Sequence, residues 1–418
     1  MVSSPSSHRD WQTILTLGFS ILGMLYFLIQ SLVMGGLWLT TLFSEGMGSA
    51  QNISFGLLLW SSLMSGFLLL PLTLMSLSQL RGKPLPRWLD PKDSAVGKWL
   101  MGLLLVWPLI VFIGWWTSGK PVAASFLLGP VNLLAAGLPV LWIFNAARRK
   151  LNGDVPVRQW RIFGFSLTIL PPVVIIVELL AVLLIALIMG ILLVYNISLG
   201  SQIEEALTDL TNQIEVAGQD PEMIFQLIKP YLSQPTVIVW ILVVFGGVVP
   251  IVEELLKPIA LLGLVRHDVS IQEGFVSGIL CGAGFALMEN ILYLSMAVTS
   301  QDWLLLTVGR AGTGAMHMLG SGLIGWGLAK TLRGGKWWFA VLTSLAAFLL
   351  HGLWNALALV VGIVPLFLVG LEPTFWQTIL FNSPLILLFV LSIAGLFGIN
   401  RHLRKKFEPE VGVSALNA

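Results

Sequence analysis

Charge is scarce in this sequence. Only 11% of its 418 residues are Asp, Glu, Lys or Arg, against about 25% in an ordinary soluble domain, so a chain of this size cannot cover itself with a water-facing surface. Cysteine is rarer still. Cys281 stands alone, which excludes an intrachain disulfide and leaves the redox compartment unreadable. His-Glu-x-x-His is absent, and with it the usual zincin signature. No low-complexity tract is present, and no internal repeat relates one half to the other, which argues against an inverted-repeat transporter. The first apolar run does not read as a secretory signal. MVSSPSSHRDW leads into about 30 apolar residues, where a signal's apolar region has only about 7–15, so the first run is expected to stay as an anchor. No nucleic-acid partner is expected.

Apolar residues make up 56% of the chain and fall in long runs separated by short polar loops. About 20 apolar residues suffice to cross a bilayer as a helix. Ten runs qualify, at 12–43, 53–77, 98–117, 123–146, 162–194, 236–263, 274–300, 304–329, 337–362 and 375–399. Those longer than 25 residues are expected to be tilted or broken. The expected fold is therefore all-α, a polytopic bundle of ten transmembrane helices in the cell (plasma or inner) membrane. The chain divides into a five-helix region of unassigned role (1–196), an acidic outer loop (197–235), a four-helix core (236–362), and a last helix with a basic tail (363–418).

Lys and Arg collect on the cytoplasmic side of such proteins. Alternating the loops of the ten-helix arrangement puts 19 of the 23 basic residues on one side and only Lys120 and Lys229 on the other. Lys257 and Arg310 lie inside apolar runs. A miscounted helix would scramble this split, so both termini are expected in the cytoplasm and loop 195–235 outside. In that loop Ile203, Leu207, Leu210 and Ile214 follow a helical period. Asn52-Ile53-Ser54 and Asn196-Ile197-Ser198 match the glycosylation acceptor pattern, which is short enough to arise by chance. Trp11, Trp99, Trp160, Trp303, Trp337 and Trp338 sit near run ends, as an interfacial belt would.

Ionisable residues inside the runs are costly, at least about 2.5–3.5 kcal/mol each at mid-bilayer. The first five helices hold one, Glu178, read as a partner for Arg310 or Lys257 in preference to a second functional carboxylate. The next four hold Glu253, Glu254, Lys257, Glu289, Arg310, His317 and His351. Glu253 and Lys257 are i,i+4 and share a helix face, which leaves Glu254, about 100° round the helix, as the freer carboxylate. Pro250 and Pro258 bracket the motif, and proline breaks helical hydrogen bonding. Gly278 and Gly282 form a face for close helix approach. Arg310 and His317 are i,i+7, and His351 and Asn355 are i,i+4. Counting 1.5 Å per residue gives the carboxylates and histidines overlapping depths, so one intramembrane pocket is expected.

Imidazoles and carboxylates are good zinc ligands, and a catalytic zinc keeps one position for water. Glu289, His317 and His351 are candidate ligands for a Zn2+ ion, Glu254 or Glu253 is the candidate general base on its water, and Asn355 the candidate oxyanion donor. Lys257, Asn290 and Arg310 are expected to support them. A metal-free mechanism, with a glutamate activating water and a histidine as its partner acid, fits these residues equally.

Glu253-Glu254-Leu255-Leu256-Lys257, Phe285-Ala286-Leu287-Met288-Glu289-Asn290, the Arg310 to His317 stretch and His351-Gly352-Leu353-Trp354-Asn355 together resemble the motifs of the PrsW intramembrane proteases, in order and spacing, within about residues 236–362. The type II CAAX prenyl endopeptidases and their bacteriocin-processing relatives are distantly similar. They usually carry histidine where this chain has Glu289, which favours PrsW. The resemblance implies hydrolysis of peptide bonds in membrane-anchored protein substrates, with anti-sigma factors as the family's precedent. A secondary transporter with a mid-membrane acidic site is the rival reading; histidines alongside carboxylates in one half only favour hydrolysis.

Overall fold

The computed structural model describes residues 11–46, 49–83, 94–151, 156–195, 205, 208–214, 221–264, 269–297, 299–367 and 374–407. Among them the chain is all helix, without a strand. The helices are α1 (Trp11–Ser44), α2 (Ala50–Leu80), α3 (Ser94–Ser118), α4 (Gly129–Ala147), α5 (Pro156–Thr168), α6 (Leu170–Tyr195), α7 (Pro221–Leu232), α8 (Pro235–Val243), α9 (Val249–Leu256), α10 (Ile271–Leu294), α11 (Ser300–Leu332), α12 (Trp338–Phe367) and α13 (Phe375–Phe407). Among the described residues eight stretches are long and apolar enough to span a membrane, so this is a multi-pass membrane protein.

The ten apolar runs map onto these helices, and the third and eighth fall outside the eight stretches. The third run is helical along its whole length as α3, and the apolar stretch among its described side chains is Leu104–Ser118. The eighth is α11, whose seven glycines, Arg310 and His317 lower its hydropathy. Most of α11 is buried against protein, and a helix surrounded by protein need not be apolar to satisfy lipid. The run 162–194 is broken at Ile169 between α5 and α6, directly before Pro171 and Pro172, which cannot donate backbone hydrogen bonds.

Two π-turns punctuate the apolar helices, Ala124–Leu128 and Val244–Val248. Each ends two residues before a proline, Pro130 or Pro250. A proline's missing N–H frees a carbonyl one turn earlier, and a π-turn absorbs the defect. After α9 the helix tightens into a 3₁₀ segment, Lys257–Leu264, beginning beside Pro258.

The chain forms two compact units. The larger comprises Met1–Pro171, Leu256–Ala347 and Leu385–Ala418. Its centre is α10, buried almost throughout, which packs on α11, α5 and α4. Capping boxes start both central helices: Ser270 with Glu273 on α10, and Thr299 with Asp302 on α11. The α10–α11 contact runs over glycine, as the small-residue spacing predicts. A Cβ on Gly278 would strike the Ser321 carbonyl, and one on Gly282 the His317 carbonyl. Trp303 departs from its expected interfacial place. It is fully buried, and its indole donates to Asn132 Oδ1 at 2.6 Å, because Gly114 leaves room for the ring. Trp337 and Trp338 are exposed.

The smaller unit comprises Pro172–Leu255 and Phe348–Pro384. Its α6 carries a broad exposed apolar surface, with Ile176, Leu180, Leu183 and Leu187 each about 60% exposed, as suits a lipid-facing helix. Between α6 and α7, residues 208–214 are helical and expose every side chain except Leu210 and Ile214, which are half-buried. Ile203, Leu207, Asn196 and the terminal segments 1–10 and 408–418 lie outside the described residues. Asn52 is buried, and its amide donates to the Trp38 carbonyl and to Thr41. The acceptor pattern there is coincidental.

Candidate active site

Two clusters of ionisable residues are buried in the helices, one in each unit. In the smaller unit, α9 is a two-turn helix held between the Val244–Val248 π-turn and the 3₁₀ segment. It presents Glu253 and Glu254, both 5% exposed. Facing them is His351 of α12, 2% exposed. Its Nδ1 lies 3.0 Å from Glu254 Oε1, and its Nε2 lies 3.7 Å from Glu253 Oε1. An ionised carboxylate only accepts, so with Glu254 ionised it is Nδ1 that carries the proton of this bond. The Nε2 lone pair then faces Glu253 across a gap too long for a hydrogen bond.

The backbone makes this approach possible. A Cβ on Gly352 would lie 2.5 Å from the Gly246 carbonyl oxygen, so only glycine there lets α12 meet the π-turn. Asn355, one turn beyond His351, donates Nδ2 to the Phe245 carbonyl at 3.1 Å. Phe245 lies within the π-turn, so Asn355 is committed at least in part to closing the helix break, a role its spacing did not reveal.

The larger unit holds the second cluster. His317 of α11 is fully buried. Its Nδ1 is 2.9 Å from Lys257 Nζ, and its Nε2 is 2.8 Å from Glu289 Oε2 on α10. The same carboxylate oxygen meets Arg310 Nη2 at 2.5 Å. Arg310 Nε donates to Asn290 Oδ1 at 2.8 Å, and Asn290 Nδ2 returns a bond to the Arg310 carbonyl at 3.3 Å. Lys257 thus gains a partner in His317 that the i,i+4 spacing with Glu253 did not suggest. Two aromatic rings complete the cluster. Phe285 stands edge-on to His317, ring centroids 5.3 Å apart, with Lys257 Nζ 4.5 Å from its centroid. Tyr293 lies under Arg310 at 4.4 Å. Sequence reading left both rings without a role. The signal was present: Cys281, Phe285, Glu289 and Tyr293 recur every four residues along one face of α10. Cys281 Sγ approaches the Lys257 carbonyl at 3.5 Å. Glu178, half-buried, belongs to α6 of the smaller unit.

The donor set of the smaller unit suits a metal ion. One ligand atom from each of Glu253, Glu254 and His351 lies within 4.8 Å of the others. Two ligands at 2.0–2.1 Å from one tetrahedral zinc would sit about 3.3 Å apart, close to the 3.7 Å between His351 Nε2 and Glu253. Glu254 bonded to Nδ1–H is the outer partner that fixes a ligating histidine's tautomer. Glu289 belongs to no group of potential ligands among the described residues.

The family model of the PrsW family intramembrane metalloproteases matches residues 178–389. The match begins within α6, well before the motif-bearing segment, and takes in both clusters. No curated protein and no solved structure matches the chain.

Proposed function

The chain belongs to the PrsW family of intramembrane metalloproteases, and on that premise we propose that it hydrolyses a peptide bond of a membrane-anchored regulatory protein, with Glu253, Glu254 and His351 at the centre of the reaction. The observation that carries this reading is the buried meeting of two carboxylates and one imidazole. Buried ionisable groups in a membrane span mark a functional site far more often than a packing device.

Glu253 and His351 Nε2 would hold the ion, which we take to be zinc. Zinc supplies a polarised scissile carbonyl and a water acidified to a pKa of about 7. Glu254 accepts the water's proton and returns it to the leaving amine. Its hydrogen bond to His351 keeps its carboxylate aimed into the site. His351, donating from Nδ1, cannot rotate without losing that bond. Asn355 has a second amide hydrogen available to an oxyanion. The same Glu254–His351 pair at 3.0 Å would also serve a metal-free mechanism, Glu254 as base and His351 as partner acid.

Family precedent supports an anti-sigma factor as substrate. Glu289 in the second motif, where the prenyl endopeptidases carry histidine, speaks against prenyl-protein processing. Metal analysis of the purified chain, paired with cleavage of a reconstituted single-span substrate with and without chelator, tests the reading. Bound zinc near one per chain and loss of cleavage on chelation, restored by zinc, are expected. Cleavage indifferent to chelation would overturn the metal centre and leave the Glu254–His351 dyad. No cleavage of any membrane-anchored protein would overturn the function.

A further inference from the structure

The chemistry of His317 is constrained from both sides. On Nε2 it meets Glu289, and on Nδ1 it meets Lys257. An ionised carboxylate can only accept a hydrogen bond, so Nε2 must donate. An ammonium can only donate, so Nδ1 must accept. The Phe285 ring face, 4.5 Å from Lys257 Nζ, suits the charged ammonium. Both neighbours therefore demand one tautomer, neutral with its proton on Nε2. Glu289 in turn has no freedom to choose another partner. Arg310 grips its bonded oxygen, and Asn290 locks the guanidinium through a reciprocal pair of bonds. Gly282 lets the His317 backbone sit directly on α10, which sets the register of imidazole and carboxylate.

We infer that Glu289 is a positioning residue rather than a metal ligand: clamped by Arg310, it holds His317 as the Nε2–H tautomer, which leaves Nδ1 as the lone-pair nitrogen facing Lys257. This reassigns a carboxylate whose place in the second motif invites the opposite conclusion. The ligand question rests on the metalloprotease reading; the tautomer does not. Loss of a ligand empties a metal site, whereas a carboxylate that only positions a side chain can be replaced without emptying it.

The sequence makes the test tractable, because the chain has five histidines. The full-length protein, labelled with ¹⁵N at histidine and reconstituted in nanodiscs, gives ring-nitrogen shifts that distinguish the two tautomers. His317→Gln assigns the His317 signals. Without added metal, the wild type is expected to show a protonated Nε2 and an unprotonated Nδ1 at His317. Glu289→Gln keeps an accepting oxygen, so it should keep that tautomer and still bind zinc at the wild-type stoichiometry. Glu289→Ala should populate both tautomers. A wild-type His317 protonated on Nδ1 would overturn the proposal outright, and needs no variant to fold. Loss of stoichiometric zinc in Glu289→Gln would make Glu289 a ligand and overturn the assignment. Were the tautomer as expected but zinc bound by neither protein, the metalloprotease reading would fail and the positioning role would stand.

Discussion

At the scale of single residues, the informative contrast is between two glutamates that sit side by side in sequence. Glu254 is hydrogen-bonded to His351 Nδ1, while Glu253 faces His351 Nε2 across 3.7 Å. Glu254→Gln keeps an oxygen for His351 but loses the ability to take a proton. We expect cleavage to fall about 10²–10⁴-fold, with thermal stability and metal content little changed. Glu253→Gln should instead lose metal. Metal content and cleavage of both variants, measured together, check the division; normal cleavage by Glu254→Gln and a metal-replete, inactive Glu253→Gln would reverse it. Lys257→Ala removes a fully buried ammonium that donates to His317. Leaving that buried acceptor without its donor should cost about 1–3 kcal/mol, read as a lowered Tm. The residues of both clusters were legible from sequence because an intramembrane charge is too costly to be incidental. Their pairings were less so. Lys257 at i+4 from Glu253 suggests one partner, whereas its contact with His317 joins residues 60 positions apart, which no local spacing reveals.

At the scale of elements, helix breaks build the site. Pro250 and the π-turn before it, then Pro258 and the 3₁₀ segment after it, isolate α9 as a short carrier for the two glutamates. The prolines announced a break; its form, and the use of Asn355 to close it, needed coordinates. Gly352 is where α12 meets the π-turn backbone. Gly352→Ala sets a Cβ 2.5 Å from the Gly246 carbonyl oxygen, a clash of two backbones that no rotamer relieves. Such overpacking costs about 1–3 kcal/mol, and because His351 is the preceding residue the variant should also lose most of its cleavage. Gly362→Ala, on the same helix in open space, is the control. It should be neutral, or stabilising by up to about 1 kcal/mol from helix propensity. Equal Tm values for the two variants would remove the close approach from the account.

At the scale of the whole molecule, the number of crossings is the question that charge and helix length answer differently. Among the described residues eight stretches span by length and apolarity, whereas the 19-to-2 split of basic residues fits ten crossings, with α3 and α11 as membrane helices. The disagreement has a physical source. A count by apolarity assumes a helix facing lipid, and α11 is largely enclosed by protein. We propose ten crossings, with both termini cytoplasmic and 197–235 outside. The decisive positions flank the two disputed helices and are exposed: Arg81 and Lys120 around α3, Gln301 and Lys336 around α11. Single cysteines at each, labelled on intact cells with a membrane-impermeant maleimide, report the side directly, since the native Cys281 is buried. Lys120→Cys and Gln301→Cys should label from outside, and Arg81→Cys and Lys336→Cys only after permeabilisation. If α3 did not cross, Lys120 would share the side of Arg81 and the two would label alike. If α11 did not cross, Gln301 and Lys336 would label alike. Either result would place the basic loops that follow on the wrong side for the charge rule, and the ten-helix topology would fall with it.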